Sequence, residues 1–175
     1  MARVRFHALF LACFVLLAAV QRSTQDIVAH TCKECANPVL PFNFCVKTLS
    51  SDPRSRTADL VGLGVIAIEH LKDSVKRANL YAAGLLKKKV WDPYTASCLK
   101  DCVELYTDAV DDIPDIEAEY KGKSYADAQT HLSAIEDSSI TCETQFKEKK
   151  PITSQNLEAT QSASLALAII NLIPK

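Results

Sequence analysis

The sequence predicts an all-α protein whose main part is an antiparallel four-helix bundle. The chain of 175 residues contains only 4 glycines, whereas an all-β domain with many tight turns would need more. From residue 56 onward, apolar residues recur every three or four positions in four successive segments, which is the spacing of amphipathic helices. Because the links between these segments are short and polar, neighbouring helices are expected to run antiparallel.

The first bundle helix is predicted to have Thr57 as its N-cap and to end near the basic run Lys87–Lys89. Gly62 and Gly64 spell part of a G-x-G-x-x-A pattern. Because no strand precedes it, we interpret the glycines as places where a neighbouring helix approaches closely. The predicted buried stripe is Leu60, Gly64, Ala67, Leu71, Val75, Ala78, Ala82 and Leu85.

The second bundle helix is predicted to start at Asp92 and Pro93, which suit the N-cap and the first helical position. Pro114 lies inside it and predicts a kink instead of a continuous rod. Its predicted buried stripe is Cys98, Cys102, Leu105, Ala109, Ile113 and Ile116.

Gly122 ends this pattern, and Ser124 followed by Asp127 resembles a capping box for the third helix. The fourth helix is predicted to start at Ser154, so that the bundle covers residues 56–173. The buried side of the third helix is predicted as Tyr125, Ala128, Leu132, Ile135, Ser139, Cys142 and Phe146. That of the fourth is predicted as Leu157, Gln161, Ser164, Leu165, Ala168, Ile169 and Leu172.

Residues 1–22 are predicted to be a secretory signal peptide. Arg3 and Arg5 precede the thirteen uncharged residues 8–20, a run too short to span a bilayer. The alternative is a buried first helix or a membrane anchor. Removal of the signal leaves one domain, residues 23–175, which is large enough to bury a core without metals. The mature chain is therefore expected to be extracellular.

The mature chain is expected to bind neither nucleic acid nor membrane. After cleavage at most 18 basic residues oppose 21 acidic ones, which gives no electrostatic reason to bind nucleic acid or anionic lipid. The apolar run at 163–173 is eleven residues long and is interrupted by Ser164 and Asn171, so it is too short to span a bilayer.

Six of the 7 cysteines remain after cleavage, because Cys13 lies in the signal. An even number in an oxidising compartment favours disulfides, but six cysteines allow fifteen pairings and spacing cannot choose among them. Cys98 and Cys102 share a helical face, and a metal site is disfavoured because no second pair has matching spacing. Residues 25–52 hold three cysteines together with Pro38 and Pro41, which predicts short helices or turns pinned by a disulfide.

The sequence carries no recognisable catalytic or cofactor motif. His30, His70 and His131 have no partners at metal-ligand spacing. The acidic residues between Asp108 and Asp115 are interpreted as the solvated face of a helix. We therefore predict no enzyme activity, no catalytic residue, no metal and no cofactor.

Several short segments, spread over the whole mature chain, share one resemblance. They are Thr31–Lys33, Phe44–Leu49, Asp52–Ser55, Asp101–Ala109, Ser133–Ala134, Thr141–Glu143 and Phe146. In these segments the chain resembles the plant invertase and pectin methylesterase inhibitors. Tyr125–Ala128 and Phe146–Lys150 make it most similar to the invertase-inhibitor-like proteins that include tree-pollen allergens. The resemblance implies an N-terminal helical hairpin, residues 25–52, in front of the bundle.

The resemblance also implies two disulfides. One joins Cys32 to Cys45 in the hairpin, and the other joins Cys102 to Cys142 between the second and third bundle helices. Cys35 and Cys98 are additional to this framework. They either bridge each other or stay free, and Cys35 is an alternative to Cys32 as the partner of Cys45.

The function implied is that of a monomeric inhibitor secreted to the apoplast, which occludes the active cleft of a carbohydrate-active enzyme in a one-to-one complex. The expected target is cell-wall invertase or pectin methylesterase, with a slight preference for invertase. In invertase inhibitors of this family a Pro-Lys-Phe motif between two helices fills the substrate position. The matching stretch, residues 122–126, lacks the proline and makes Lys123, Ser124 and Tyr125 the candidate target-binding residues. The alternative is that Ser124 caps a helix and Tyr125 packs in the core.

A second functional hypothesis is a secreted helical protein that stores a small hydrophobic ligand. Such a ligand needs a pocket of at least ~300 Å³. The small residues of the first stripe, such as Gly64 and Ala78, predict closely packed helices with no room for one.

Overall fold

The computed structural model describes residues 27–174 and is entirely helical over that range. Helix α1 covers residues 27–35. The other elements are α2 (Phe42–Ser51), a 3-10 turn (Pro53–Arg56), α3 (Leu60–Lys87), α4 (Pro93–Lys121), α5 (Tyr125–Thr144) and α6 (Thr153–Leu172). The prediction of an all-α fold with a helical hairpin and a four-helix bundle is confirmed. The predicted signal peptide, residues 1–22, lies outside the described residues.

The four long helices form a closed ring in which α3 contacts α4 and α6, and α5 contacts the same two helices. Two hydrogen bonds between α3 and α4 show that these helices run in opposite directions. The Oη of Tyr120 lies 2.9 Å from the Val61 carbonyl, and Asn79 Nδ2 lies 2.9 Å from Thr107 Oγ1. Because the residue number falls along α4 as it rises along α3, these helices are antiparallel.

Aspartate side chains are the N-caps of two of the long helices. Asp92 caps α4 through the backbone N–H groups of Tyr94 and Thr95, as predicted. The expected N-cap of α3, Thr57, is wrong. Asp59 caps α3 instead, because its carboxylate accepts the Gly62 N–H at 2.8 Å.

The capping box expected before α5 is also absent. Ser124 occupies the N-cap position, but its side chain makes no capping hydrogen bond. The Asp127 N–H donates to the Ser124 backbone carbonyl at 3.1 Å instead.

Pro114 does not interrupt α4, which is helical from Pro93 to Lys121. The proline is exposed, while Ile113 and Ile116 beside it are buried in the core. Proline frees one backbone carbonyl in the preceding turn. On the solvent side of a helix that carbonyl can bond to water, and the buried isoleucines keep both halves of α4 against the core.

The buried face of α6 differs from the predicted one. Leu157 and Leu172 are 54% and 37% exposed, whereas Asn156 is buried. The reason is a polar network in the core: Tyr106 Oη donates to Asn156 Oδ1 at 2.7 Å, and Asn156 Nδ2 donates to Glu143 at 2.8 Å. Burial raises the pKa of Tyr106 to about 12. A period of apolar residues cannot reveal such a buried asparagine.

Two disulfides staple the fold. Cys32–Cys45 joins α1 to α2, and Cys102–Cys142 joins α4 to α5. These are the pairs that the family resemblance implies. Cys35 and Cys98 are buried free thiols, so they neither bridge each other nor replace a member of either pair.

The hairpin packs on α3 through an aromatic contact that includes a histidine. The Phe44 ring lies edge-on to His70 with 6.0 Å between centroids. His70 Nδ1 is 3.0 Å from Ser162 Oγ, and that hydroxyl donates to the Glu158 carbonyl at 2.7 Å. The hydroxyl proton is therefore used, and neutral His70 donates its Nδ1–H to Ser162.

We expect acid to destabilise the protein partly through His70. Burial is the main cause that lowers the pKa of His70 below its usual 6.5, with Arg77 lowering it further and Glu158 and Asp73 opposing. Because the pKa of His70 is lower in the folded state, the stabilisation of the fold by neutral His70 is complete above about pH 6.5. It is lost as the pH falls from there through the folded-state pKa. His70→Gln should therefore reduce the fall in Tm between about pH 7 and pH 5.

The matched control for this prediction is His30→Gln, because His30 is exposed on α1. Thermal melts by circular dichroism at both pH values provide the measurement. An acid-induced fall in Tm that is the same in wild type, His70→Gln and His30→Gln would contradict the role of His70.

Candidate target-binding site

The α4–α5 turn, residues 122–124, is a tightly hydrogen-bonded helix ending. The Lys123 N–H donates to the Tyr120 carbonyl at 3.1 Å, and the Ser124 N–H donates to the Glu119 carbonyl at 2.8 Å. This pair of bonds is the Schellman motif, whose left-handed residue is usually glycine. Here that residue is Lys123, with φ of 63°, although Gly122 stands beside it. A non-glycine residue in this backbone region is uncommon, and such residues are concentrated at binding and active sites.

Tyr125 opens α5 and rests on a buried aromatic partner. Its ring lies edge-on to Tyr120, with 5.4 Å between centroids. Tyr120 is only 4% exposed and donates its hydroxyl to the Val61 carbonyl. Burial raises the pKa of Tyr120 above its usual range. Tyr125 itself is half-buried, so it is neither a core residue nor a free side chain on the turn.

A groove of about 720 Å³, here called the turn groove, opens beside these tyrosines between the start of α3 and the end of α4. Its apolar part includes Val61 and Val65, which are 39% and 38% exposed, and the buried Ile68. The other lining residues are Glu69, Lys72, Asp73, Glu117, Tyr120, Lys121, Lys123 and Tyr125. The groove therefore combines an apolar wall with a rim that carries both signs of charge.

Gly64 allows the Tyr120 ring to lie against α3. A Cβ at Gly64 would lie 1.9 Å from Tyr120 Oη and 2.6 Å from Cζ, so the buried Tyr120 ring would have to move away from α3. The prediction that this glycine admits a neighbouring helix is confirmed. It is wrong for Gly62, whose nearest neighbour would be Ala58, just before the same helix, at 3.0 Å.

The charged rim leaves positive groups unpaired beside Tyr125. Lys72 on α3 pairs with Glu117 on α4 at 2.8 Å. Lys121 and Lys123 have no ion-pair partner within 4 Å among residues 27–174. The end of the turn groove at the α4–α5 turn thus presents free ammonium groups next to an aromatic ring.

The structure brings two of the three predicted residues together. Lys123 and Tyr125 line the turn groove, whereas Ser124 does not. Sequence reasoning missed Val61 and Val65. Both residues are apolar, lie four positions apart and do not belong to the predicted buried stripe. That spacing places them together on a second face of α3, and this signal was available in the sequence.

The close packing expected from the small residues of α3 is present in the core, and the turn groove is a separate feature of the bundle surface. The small residues of α3 do lie in the closely packed core, where Ala67, Ala78 and Ala82 are fully buried. The turn groove lies on the outer side of the α3–α4 pair, where helix spacing in the core sets no limit.

Over residues 27–174, no helical segment combines the length and the hydrophobicity that a membrane span requires. Histidine, cysteine, aspartate and glutamate side chains in this range form no group of three that could hold a metal ion.

Comparison with known proteins gives consistent results. A protein of Platanus acerifolia described as "Putative invertase inhibitor" is 41% identical over 170 residues, covering 94% of this chain and 93% of that protein. "Cell wall / vacuolar inhibitor of fructosidase 2" of Arabidopsis thaliana is 32% identical over 149 residues, with 82% and 80% covered. The crystal structure of a mutant pectin methylesterase inhibitor from Arabidopsis has the same fold, with a TM-score of 0.69 at 17% identity, covering 82% of this chain and 95% of that one.

The family match extends over most of the helical domain. Residues 26–169 match the family described as plant invertase/pectin methylesterase inhibitor, which spans the hairpin and nearly all of the bundle. The members of this family inhibit enzymes and are not enzymes themselves. The chain therefore belongs to the plant invertase/pectin methylesterase inhibitor family.

Proposed function

We propose that this protein inhibits a cell-wall invertase by seating the α4–α5 turn in the enzyme's active cleft, in a one-to-one complex. The observation that carries the proposal is the meeting of Lys123 and Tyr125 at one end of the turn groove. Glycoside hydrolases carry paired carboxylates in the cleft. A free ammonium group can pair with those carboxylates, while an aromatic ring fills the space of a sugar.

The rigid support of these side chains favours an inhibitor. The Schellman bonds fix the backbone of Lys123, and Tyr120 supports the ring of Tyr125 from below. Because the backbone of Lys123 and the ring of Tyr125 are already held in position, binding orders fewer groups and more of the contact energy appears as affinity.

The proposal includes the cellular context. Residues 1–22 direct secretion and are removed, and the mature monomer, residues 23–175, acts in the apoplast. The name of the Arabidopsis relative refers to cell wall and vacuole, which supports a compartment outside the cytosol. Disulfides between Cys32 and Cys45 and between Cys102 and Cys142 suit that oxidising environment.

Titration of purified invertase with the mature chain tests the mechanism. With the enzyme far above the inhibition constant, activity should fall to an end point at about one equivalent of inhibitor. In a second assay, with the enzyme far below that constant and the inhibitor in excess over the enzyme, the apparent KM for sucrose should rise at unchanged kcat, because substrate and turn compete for one cleft. A lowered kcat at constant KM in the second assay would rule out cleft occlusion. Inhibition of pectin methylesterase alone, in a parallel titration, would reassign the target.

A second candidate function is storage of a small hydrophobic ligand, favoured by the size and apolar wall of the turn groove. The groove is open and its rim is charged, which suits a macromolecular partner better. Val65→Arg would place a charge on the apolar wall. An apolar fluorescent dye that binds wild type but not this variant, in a protein that inhibits neither enzyme, would favour storage.

A further inference from the structure

The opposite end of the bundle carries a concentration of lysines that inhibition at the α4–α5 turn does not use. The α3–α4 loop (88–92) and the α5–α6 loop (145–152) both lie there, because alternate connections of an antiparallel bundle share an end. Six exposed lysines form what we call the basic end: Lys87, Lys88, Lys89, Lys147, Lys149 and Lys150.

Direct contacts join the start of α4, which follows the α3–α4 loop, to the α5–α6 loop. Tyr94 Oη donates to the Gln145 carbonyl at 2.6 Å, and Gln145 Nε2 donates to the Cys98 carbonyl at 3.1 Å. Lys147 Nζ lies 4.6 Å from the centroid of the Tyr94 ring, within cation–π range. Lysines from both loops are therefore held on the same face of the molecule.

Most lysines of the basic end have no ion-pair partner, and Glu148, exposed in the α5–α6 loop, pairs with none of them among residues 27–174. Asp92 is used as the cap of α4, where it accepts hydrogen bonds from Tyr94 and Thr95. Lys150 pairs with Glu143 at 3.4 Å. Lys147 contacts the Tyr94 ring. In the described part of the chain, the remaining four lysines have no carboxylate within 4 Å; they are Lys87, Lys88, Lys89 and Lys149.

This arrangement is local and does not follow from the overall charge, which is −1. The carboxyl ends of α3 and α5 lie here, and their dipoles favour nearby cations. The helix dipole acts only within the last turn of a helix. It therefore explains Lys87, which ends α3, but not the other five lysines, which lie beyond the ends of α3 and α5. The remaining positive field is available to an anionic partner.

We propose that the basic end binds a linear acidic polysaccharide, a polymer whose sugar rings carry free carboxylates. Lysines spread over two adjoining loops match a row of carboxylates along an extended chain. Lys147 covers one face of the Tyr94 ring, and the exposed remainder of that ring and the partly exposed Trp91 add aromatic surface for contact with sugar rings. The inference rests on the proposed secretion to the cell wall, where hydrolysis of pectin methyl esters leaves such carboxylates.

Binding to defined polymers tests this proposal. The mature chain should bind de-esterified polygalacturonate in low salt, lose most of that binding at roughly 0.5 M NaCl because exposed charges are screened, and ignore the fully methyl-esterified polymer of equal length. The triple variant Lys88→Gln, Lys89→Gln, Lys149→Gln should bind at least about tenfold more weakly. The matched triple Lys33→Gln, Lys47→Gln, Lys76→Gln changes the net charge equally at exposed positions elsewhere and should lose less than about threefold.

The competing outcomes are distinct. Equal losses in the two triple variants, or equal binding of the esterified polymer, would overturn the proposal. So would tighter binding to phosphatidylserine vesicles or to single-stranded RNA than to polygalacturonate. Inhibition of the target enzyme should be unchanged in the basic-end variant, and polymer binding is measured without any enzyme. Failure of the polymer site can therefore be told apart from failure of the proposed inhibition.

Discussion

Replacing Cys102 or Cys142 by serine should lower the Tm by about 8–16 °C. The disulfide closes a loop with a sequence separation of 40 residues. In the chain-entropy model a loop of that length contributes about 4 kcal/mol to the free energy of unfolding. For a domain of this size, each kcal/mol corresponds to roughly 2–4 °C in Tm. Both cysteines are fully buried, so the serine hydroxyl adds a polar group to the core and acts in the same direction.

The matched control is Cys98→Ala. Cys98 lies one turn before Cys102 on α4, is also buried and is not disulfide-bonded. Its replacement removes a sulfur atom from the same helix without opening a loop, so Tm should fall by less than half as much as in Cys102→Ser. A fall in Cys98→Ala as large as that in Cys102→Ser would mean that Cys98 is the partner of Cys142, which peptide mapping under non-reducing conditions would reveal directly.

Lys123→Gly should raise the stability of the protein and weaken its inhibition of invertase. Glycine adopts the left-handed backbone of this position without the cost that a side chain incurs, which is about 1 kcal/mol or more. The same change removes the ammonium group proposed to pair with cleft carboxylates. Loss of a hydrogen bond to a charged group costs about 1.5–3 kcal/mol, or about 10- to 150-fold in the inhibition constant. Opposite changes in stability and inhibition cannot come from a damaged fold.

Lys89→Gly is the matched control, because Lys89 holds the equivalent left-handed position after α3, with φ of 52°. It should stabilise the protein similarly and leave inhibition unchanged, since it lies at the basic end. Equal inhibition by wild type and Lys123→Gly would contradict a role for this lysine in the cleft.

Tyr125→Ala completes this test of the turn. A buried aromatic anchor at an interface typically contributes about 2 kcal/mol or more, so inhibition should weaken by about thirtyfold. Tyr81→Ala removes an exposed tyrosine from α3 outside the turn groove and should have no effect on inhibition. If Tyr125→Ala and Lys123→Gly together leave invertase inhibition intact, the turn does not enter the cleft.

The helices themselves could be predicted from the sequence because local signals decide them. Asp92 and Pro93 mark the start of α4 through backbone geometry that involves only neighbouring residues. The buried stripe of α3, from Gly64 to Leu85, follows directly from a period of three to four residues. Where a cap depends on the path of the preceding chain, as for Thr57 and Asp59 after the 3-10 turn, the prediction was wrong by two residues.

The turn groove was decided by tertiary structure. Its shape depends on the fit of Tyr120 from α4 against the missing Cβ of Gly64 on α3, two residues separated by 56 positions in the chain. The left-handed conformation of Lys123 follows from the Schellman bonds at the end of α4, although the adjacent Gly122 would tolerate it better.

The amino-acid sequence by itself determined the fold class, the helices, the family and the three candidate residues Lys123, Ser124 and Tyr125, since each depends on short-range pattern or on similarity along the chain. Only the tertiary structure decided what surrounds them. Val61 and Val65 join Tyr125 on one groove, and lysines from two loops meet at the other end, because antiparallel packing brings together residues that are distant in sequence. Contacts between such residues depend on packing, which no local period encodes.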